Sequence, residues 1–253
     1  MEIRDNTFVI TGGAQGLGKA VGLQLASQGG RVALVDVNEE VLEKAVIECQ
    51  QSGADVRGYT ANVADEQQVI DLFSRVEKEM GSISGLVNNA GILRDGLMVK
   101  AKDGVVIERL SLAQWQAVID VNLSGVFLCG REAATKMIES GTQGVIINIS
   151  SISRAGNAGQ SNYAAAKAGV AALTVTWAQE LARFGIRAAA IAPGVFETDM
   201  VAAMKPEAHD RLLNAIPLRR GGQLDELADA VTYIFGNNYF SGRVLELDGG
   251  LRL

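Results

Sequence analysis

Apolar residues along this chain alternate between short continuous runs and longer stretches with helical spacing. The run Val145–Ile149 is of the first kind, and its β-branched residues suit a parallel strand that is buried on both faces. The stretch Asp65–Met80 is of the second kind, because Val69, Leu72 and Val76 fall on one face of a helix. Regular alternation of the two kinds is typical of an α/β fold.

The same reading along the whole chain predicts about seven strands, with helices between most of them. The predicted strands are Thr7–Ile10, Arg31–Val35, Val56–Thr60, Gly85–Asn88, Val145–Ile149, Ile186–Ile191 and Val244–Leu247. The predicted helices are Gly18–Gln28, Glu39–Ser52, Asp65–Met80, Leu112–Ser140, Tyr163–Phe184 and Leu224–Phe235. This order predicts one open, doubly wound parallel sheet with helices on both faces, in a single domain over residues 1–253.

Composition narrows the class of partner. A net charge of −6 disfavours binding to nucleic-acid phosphates, so we expect no nucleic-acid partner. No apolar run reaches the roughly 20 residues that a membrane helix needs, so we expect no membrane partner. The N-terminus enters a strand at once and does not resemble a signal peptide. We therefore expect a soluble, cytoplasmic protein.

Cysteine and histidine content gives little support for a metal site or a disulfide framework. Cys49 and Cys129 are too few for a framework of disulfides. The single histidine, His209, cannot build a histidine site, and no group of cysteines or carboxylates has ligand spacing, so we expect no metal. We expect His209 to lie in a solvated loop.

A glycine-rich turn, Thr11–Gly18, joins the first predicted strand to its helix. Its spacing is G-x-x-x-G-x-G. Such a turn lets backbone N–H groups and the helix dipole approach a pyrophosphate, so the sequence predicts a dinucleotide site here. Glycines alone could also mark a tight turn.

The acidic residue Asp36 follows the second predicted strand, about 20 residues after the glycines. A carboxylate at this place accepts hydrogen bonds from a ribose 2′-hydroxyl and repels a 2′-phosphate. Asp36 therefore favours NAD(H) over NADP(H) as the cofactor. The alternative is that Asp36 caps the helix that starts near Asn38.

A tyrosine and a lysine, Tyr163 and Lys167, are four residues apart and so share one face of a predicted helix. Tyrosine ionises near pH ~10, and an adjacent ammonium favours the phenolate. A serine at the end of the preceding strand, Ser150 or Ser151, could hold a carbonyl oxygen while the tyrosine proton moves. The alternative is an ordinary helix with a core tyrosine and a surface lysine.

Joined in chain order, these features resemble the short-chain dehydrogenase/reductase family over essentially the whole chain. The resemblance implies a single-domain Rossmann fold and an oxidoreductase that uses a nicotinamide cofactor. The matching motifs are T-G-x-x-x-G-x-G at Thr11–Gly18, the pair Asn62-Val63, N-N-A-G at Asn88–Gly91, Asn122 in VNLSGVF, the set Ser150, Tyr163 and Lys167, P-G-x-x-x-T at Pro193–Thr198, and D-G-G at Asp248–Gly250.

The resemblance also implies a role for each matching residue. Tyr163 would donate the proton in carbonyl reduction and accept it in alcohol oxidation, and Lys167 would lower its pKa and bind the nicotinamide ribose. Ser150 has the family spacing to Tyr163 and would orient the substrate oxygen, with Ser151 as the competing candidate. Asn122 would anchor a water relay behind Lys167. The implied cofactor-binding residues are Gly12, Gln15, Gly16, Leu17, Gly18, Asp36, Val37, Asn62, Val63, Asn89, Ala90, Gly91, Tyr163, Lys167, Pro193, Gly194, Val195, Phe196 and Thr198.

Within the family, the chain is most similar to the β-ketoacyl reductases of fatty-acid synthesis and to acetoacetyl-CoA reductases. This likeness implies hydride transfer between a nicotinamide and a 3-oxoacyl or 3-hydroxyacyl thioester of CoA or of acyl carrier protein. Those reductases usually use NADPH, whereas Asp36 favours NADH. Positions where they tend to carry basic residues for docking acyl carrier protein hold Gly141 and Phe184 here. The alternatives are a secondary-alcohol, polyol or steroid-type dehydrogenase, and a catalytically silent nucleotide-binding protein.

Three further expectations concern surfaces. The family resemblance implies a homotetramer in which the long helices pair across one interface. The segment Met200–Pro217 is predicted to be a mobile lid over the substrate. The segment Leu93–Ser111 is predicted to be a solvated loop, although its Lys100, Lys102 and Arg109 could meet an anionic CoA or carrier arm.

Overall fold

The computed structural model describes residues 1–198, 201 and 206–252. Its strands are β1 (Thr7–Thr11), β2 (Arg31–Asp36), β3 (Val56–Thr60), β4 (Ile83–Asn88), β5 (Val99–Lys102), β6 (Val105–Arg109), β7 (Val145–Ile149), β8 (Arg187–Pro193) and β9 (Val244–Leu247). Its α-helices are α1 (Gly16–Ser27), α2 (Glu39–Gln50), α3 (Glu66–Met80), α4 (Leu112–Ile119), α5 (Gly125–Glu139), α6 (Ser161–Glu180), α7 (Pro206–Ala215) and α8 (Leu224–Gly236).

Seven of these strands form one parallel sheet in the order β3-β2-β1-β4-β7-β8-β9. The predicted α/β fold, a doubly wound Rossmann sheet with helices on both faces, is therefore confirmed. The chain reverses its direction of winding between β1 and β4, and Thr11 is level with Asn88 where these two strands end. Ligands of such sheets bind beyond the carboxyl ends of the strands at this reversal.

Alternate residues of the central strands pack into two separate cores. Phe8 and Ile10 of β1 face α1 and α8, whereas Val9 between them faces α3, α5 and α6. Successive side chains of a strand point to opposite faces, so a strand that is apolar at every position must be covered on both sides. The burial of every residue of β1, β4 and β7 confirms this expectation.

The predicted helix Leu112–Ser140 is not one α-helix. A π-helical turn at Asp120–Ser124 separates α4 from α5. Helical spacing of apolar residues continues through this turn, so the sequence pattern could not reveal it. Single π-helical turns inside α-helices are frequent at functional sites, and this one carries Asn122.

The prediction that Leu93–Ser111 is a solvated loop is wrong in part, because the segment contains the antiparallel hairpin β5–β6. The turn holds Asp103 and Gly104, both with positive φ. Every residue of the two strands is exposed, including Val105 and Ile107. The sequence does carry a signal for this hairpin, because apolar and basic residues alternate over Val99–Lys102 and the pair Asp103-Gly104 is typical of a two-residue hairpin turn.

Two further expectations, for His209 and for the segment Met200–Pro217, concern the C-terminal part of the chain. His209 lies in helix α7 rather than in a loop, and its Nε2 is 3.6 Å from a carboxylate oxygen of Glu197. The predicted lid Met200–Pro217 falls partly outside the described residues, and its mobility stays a prediction. Across the described ranges, no helix combines the length and the apolar character that crossing a membrane requires.

Close packing between α5 and α6 leads to a stability prediction. A Cβ atom at Gly130 would overlap the indole ring of Trp177, whereas a Cβ atom at Gly236 would meet nothing within 4 Å. We expect Gly130→Ala to lower the free energy of unfolding by about 1–3 kcal/mol through overpacking. Gly236→Ala is the control, and should leave stability unchanged or raise it by up to about 1 kcal/mol. Urea unfolding of both variants measures the difference, and equal stabilities would contradict the packing described here.

Candidate active site

Two adjoining cavities lie beyond the carboxyl ends of the central strands. They have volumes of about 640 and 770 Å³, which is the size of pockets for small ligands and cofactors. They share Asn89, Gly91 and Ile92, so they form one cleft. Residues predicted for cofactor binding that line the first cavity are Gly12, Gln15, Asp36, Val37, Asn62, Val63, Asn89, Ala90 and Gly91. Those that line the second are Leu17, Asn89, Gly91, Tyr163, Lys167, Pro193, Gly194, Val195, Phe196 and Thr198.

The glycine-rich turn brings bare backbone to the first cavity. Gly12 has a φ of +63°, and a Cβ atom there would lie 2.9 Å from Cα of Ala90. Helix α1 begins at Gly16 and has no side-chain cap, whereas Asn38, Asp65 and Ser111 cap α2, α3 and α4. The uncapped N–H groups of α1 and the missing Cβ atoms suit a pyrophosphate, so the residues present fit a dinucleotide.

Gly18 was predicted to bind the cofactor, but in the structure it lies inside helix α1. It is buried in α1, and a Cβ atom at this position would overlap the carbonyl oxygen of Gly12. Gly18 therefore allows the helix to pack under the turn and does not line the cleft.

Thr11 and Asn89 fasten the ends of β1 and β4 together. The hydroxyl of Thr11 accepts hydrogen bonds from the N–H groups of Asn89 and Ala90, both at 3.1 Å. The Asn89 amide donates in return to the carbonyls of Thr11 and Gly12, at 3.2 and 2.9 Å. These four bonds hold the turn and the N-N-A-G segment at the place where the cavities meet.

Asp36 lies at the far end of the first cavity. One carboxylate oxygen accepts from the N–H groups of Val37 and Asn38, at 2.8 and 3.2 Å, and the other accepts from the Ala14 N–H at 3.3 Å. The alternative role as the cap of α2 is filled by Asn38, whose side chain accepts from the Val41 N–H. Asp36 thus joins the end of β2 to the glycine turn and faces the cavity.

Tyr163 and Lys167 meet in the second cavity, on the first turns of α6. The Lys167 ammonium lies 5.6 Å from the centre of the Tyr163 ring and donates a 2.7 Å hydrogen bond to the carbonyl of Ile149, the last residue of β7. Lys167 is buried, and burial lowers its pKa to about 8. The predicted placement on one helix face is what the structure shows.

The pKa of Tyr163 in the chain alone is set by groups other than Lys167, and the expectation that Lys167 lowers it stays a prediction. In the chain alone, burial raises the pKa of Tyr163 above its usual value, a hydrogen bond with Ser151 lowers it, and the negative charge of Asp95 raises it further. The net effect is a higher pKa, so the phenol is protonated at neutral pH. A protonated phenol is the form that can donate a proton to a carbonyl oxygen.

The structure distinguishes the two candidate serines and revises the preference for Ser150. The Ser150 hydroxyl is buried and donates to the carbonyl of Lys167 at 2.8 Å, whereas the Ser151 hydroxyl accepts from the Ser153 N–H at 3.1 Å and acts on the Tyr163 phenol, whose pKa it lowers. Successive residues of an extended chain point to opposite faces, so Ser150 shares a face with Asn148, two residues earlier. The Asn148 amide donates to the Thr174 hydroxyl of α6. Ser150 therefore packs against α6, and the geometry points to Ser151 as the serine of the site.

Asn122 braces the loop after β4. Its side-chain oxygen accepts from the Ile92 N–H at 2.8 Å, and its amide donates to the Ile92 carbonyl at 2.9 Å. Both ends of the side chain are therefore occupied by protein. The side chain fixes Ile92 at the junction of the two cavities, and the water relay behind Lys167 stays a prediction.

The segment after β8 closes the second cavity from the side opposite α6. The Gly194 N–H donates to the Leu247 carbonyl at 2.9 Å, and a Cβ atom at Gly194 would lie 2.8 Å from Cα of Asp248. This close approach explains a glycine after Pro193. The sequence did not single out several other residues that line this cavity, among them Ile92, Arg94 and Gln160. They lie in loops, where no periodic pattern marks them. Val201 and Leu212, which belong to the predicted lid segment, also line this cavity.

Comparison with known proteins agrees with this geometry. The family model for short chain dehydrogenase matches residues 6–209. A 3-oxoacyl-[acyl-carrier-protein] reductase of Thermotoga maritima is 39% identical over 254 residues, which cover 99% of each chain. Reductases of the same description from Staphylococcus aureus and Synechocystis are also 39% identical, over 96% of this chain and 96% and 95% of theirs.

The contrast between the two serines can be tested on Tyr163 itself. Because the hydrogen bond with Ser151 lowers the pKa of Tyr163, Ser151→Ala should raise the midpoint of its titration. Ser150→Ala is the matched control and should leave that midpoint unchanged. Near-ultraviolet absorbance of phenolate, read as the difference from Tyr163→Phe, measures both. A larger shift in Ser150→Ala than in Ser151→Ala would return the role to Ser150.

Proposed function

The chain belongs to the short-chain dehydrogenase family, and from that premise we propose that it reduces 3-oxoacyl thioesters with NADH and catalyses the reverse oxidation of 3-hydroxyacyl thioesters. The observation that carries this proposal is the meeting of the Tyr163 phenol and the Ser151 hydroxyl above a buried Lys167, at one end of a cleft whose other end holds Asp36. The thioester substrate is supported by the names of the relatives that match nearly the whole chain.

The proton chemistry follows from the second cavity. When a nicotinamide is bound, its ring supplies or accepts the hydride. The Ser151 hydroxyl donates a hydrogen bond to the substrate carbonyl oxygen, and Tyr163 gives its proton to the same oxygen. Lys167 keeps a positive charge beside the ring, which stabilises the phenolate that remains.

The raised pKa of Tyr163 gives the reaction a direction of pH dependence. Reduction needs the protonated phenol, so it proceeds at neutral pH and declines only when the pH approaches the raised pKa. Oxidation needs the phenolate, so its rate rises with pH. We therefore expect the rate of oxidation relative to the rate of reduction to rise with pH.

The cofactor proposal rests on Asp36. Its carboxylate lines the first cavity beside Val37, where it can accept hydrogen bonds from the adenosine ribose of NADH. A 2′-phosphate at the same place would face a like charge. NADPH is therefore the less favoured cofactor.

We also propose a homotetramer. Part of the outer surface of α5 and α6 is apolar, with Phe127 43% and Val175 40% exposed. Leu123, Phe127, Gly169, Ala172 and Leu173 line a shallow groove there. Burial of this face between copies would remove it from water.

Tyr163→Phe tests the proposed reaction. The variant keeps the ring and loses the proton, so turnover of acetoacetyl-CoA and of longer 3-oxoacyl thioesters with NADH should fall by at least about 100-fold, while NADH affinity stays unchanged. NADH consumption and fluorescence titration measure the two quantities. Plain ketones are the comparison substrates. Turnover within a few-fold of wild type, or a wild type that reduces ketones and not thioesters, would contradict the proposal.

Asp36→Ala tests the cofactor. Two like charges at ~4 Å repel by about 4 kcal/mol at an effective dielectric constant of 20. Water in the cleft reduces this, so wild type should prefer NADH over NADPH by about 2–3 kcal/mol, or roughly 30- to 150-fold in kcat/KM. Asp36→Ala should remove most of that preference.

The control for this comparison is Asp65→Ala. Asp65 caps α3, where its carboxylate accepts from the Gln68 N–H at 3.0 Å, and it does not line either cavity. Its loss should lower stability by about 1 kcal/mol and leave the cofactor ratio unchanged. A wild type that prefers NADPH would rule out the assignment to NADH.

A further inference from the structure

The loop that follows β4 is tied to the start of α6 at several successive residues. The Gly96 N–H donates to the Gly159 carbonyl at 2.8 Å. The buried Asn162 amide donates to the Arg94 carbonyl at 3.0 Å, and its oxygen accepts from the Tyr163 N–H at 2.8 Å. The position of Tyr163 is therefore coupled to the loop Ile92–Gly96.

A side-chain pair closes this junction at the mouth of the cleft. The Gln160 amide donates to a carboxylate oxygen of Asp95 at 2.9 Å. The side-chain oxygen of Gln160 accepts a hydrogen bond from the amide of Asn157 at 3.0 Å. Gln160 lines the second cavity, so these two bonds fix the orientation of a polar group that faces the substrate space.

We propose that Asp95 is a positioning residue for the reaction: it orients Gln160 at the mouth of the second cavity, and its negative charge acts on the Tyr163 hydroxyl. The proposal deepens the proposed function, because it rests on Tyr163 as the acid. Neither the glycine motif nor the Tyr163–Lys167 pair points to Asp95. It emerges only when the loop after β4 and the start of α6 are brought together.

The charges that face Tyr163 come from two elements, helix α6 and the loop after β4. Lys167 lies below the ring on α6, with its ammonium 5.6 Å from the ring centre. Asp95 lies in the loop after β4, and its charge raises the pKa of Tyr163. Arg94 of the same loop lines the cavity, but its guanidinium donates back to the Leu93 carbonyl. Ser151, at the end of β7, is neutral.

Lys167 and Asp95 thus act on Tyr163 in opposite senses. Lys167 favours the phenolate that remains after the proton leaves, and Asp95 favours the phenol that starts a reduction. Because Asp95 is exposed, water screens the effect of its charge on the pKa of Tyr163. Asp95 therefore widens the pH range in which Tyr163 is ready to donate a proton.

Asp95→Asn separates charge from position, because asparagine keeps an oxygen that can accept from Gln160. We expect the midpoint of the tyrosinate titration of Tyr163 to shift to lower pH, because the negative charge that raises its pKa is gone. The pH profile of alcohol oxidation should move by the same amount, with KM nearly unchanged. Gln160→Leu should change KM and not the titration. We expect it to raise KM for the carbonyl substrate by up to about tenfold and to leave the titration midpoint of Tyr163 unchanged. Asp103→Asn, in the exposed turn of the β5–β6 hairpin, is the control for the loss of one negative charge.

Absorbance and kinetics together keep the outcomes distinct. The titration of Tyr163, read against Tyr163→Phe without substrate, tests Asp95 even if no thioester is turned over. A wild type without carbonyl reduction, but with the expected shift in Asp95→Asn, would contradict the proposed function and support the charge effect. A titration of Asp95→Asn that matches Asp103→Asn would overturn the role of the Asp95 charge. A Gln160→Leu variant with unchanged KM would overturn the positioning of Gln160.

Discussion

A buried ammonium at the end of a central strand is the constraint on which the rest of the site depends. Lys167 is removed from water, and a charged group in that position is costly unless its hydrogen bonds are satisfied. The Ile149 carbonyl meets it because β7 ends there and leaves a backbone acceptor beyond the sheet. Burial lowers the pKa of Lys167 to about 8, so most but not all of the lysine is protonated at neutral pH. Tyr163, one helical turn earlier, is fixed above it by the geometry of α6.

The remaining parts of the cleft are arranged around that point by the reversal of the sheet. Because β1 and β4 run side by side with their ends level, the glycine turn after one meets the N-N-A-G segment after the other. Thr11 and Asn89 fasten the two together, and Asn122 holds the next residue, Ile92, from the π-helical turn. The cofactor cavity and the proton-transfer cavity therefore share one wall. A substitution at Ile92 would change the shape of both cavities.

Much of this arrangement could be predicted from sequence, since it follows from local rules. Continuous β-branched runs gave the strands, and four-residue spacing gave the shared face of Tyr163 and Lys167. The parts that were missed depend on three-dimensional packing. Spacing to Tyr163 favoured Ser150, but the pleat of the strand turns that residue toward α6 and leaves Ser151 beside the phenol. A π-helical turn does not interrupt apolar spacing. The hairpin β5–β6 is the exception, because the alternation over Val99–Lys102 and the pair Asp103-Gly104 could have predicted it from sequence. No sequence pattern marks Asp95, and its hydrogen bond with Gln160 becomes visible only in the folded chain.

The central claim is that hydride and proton reach one carbonyl group in the cleft that Tyr163 and Asp36 delimit. Its most direct test is the transfer of deuterium from NADH labelled at C4 of the nicotinamide to a 3-oxoacyl thioester, followed by mass spectrometry of the product. The expected product carries one deuterium on carbon 3, and Tyr163→Phe should form it far more slowly. A 3-hydroxyacyl product whose hydrogen at carbon 3 comes from water, or labelled NADH that is not consumed with any 3-oxoacyl thioester, would contradict the claim.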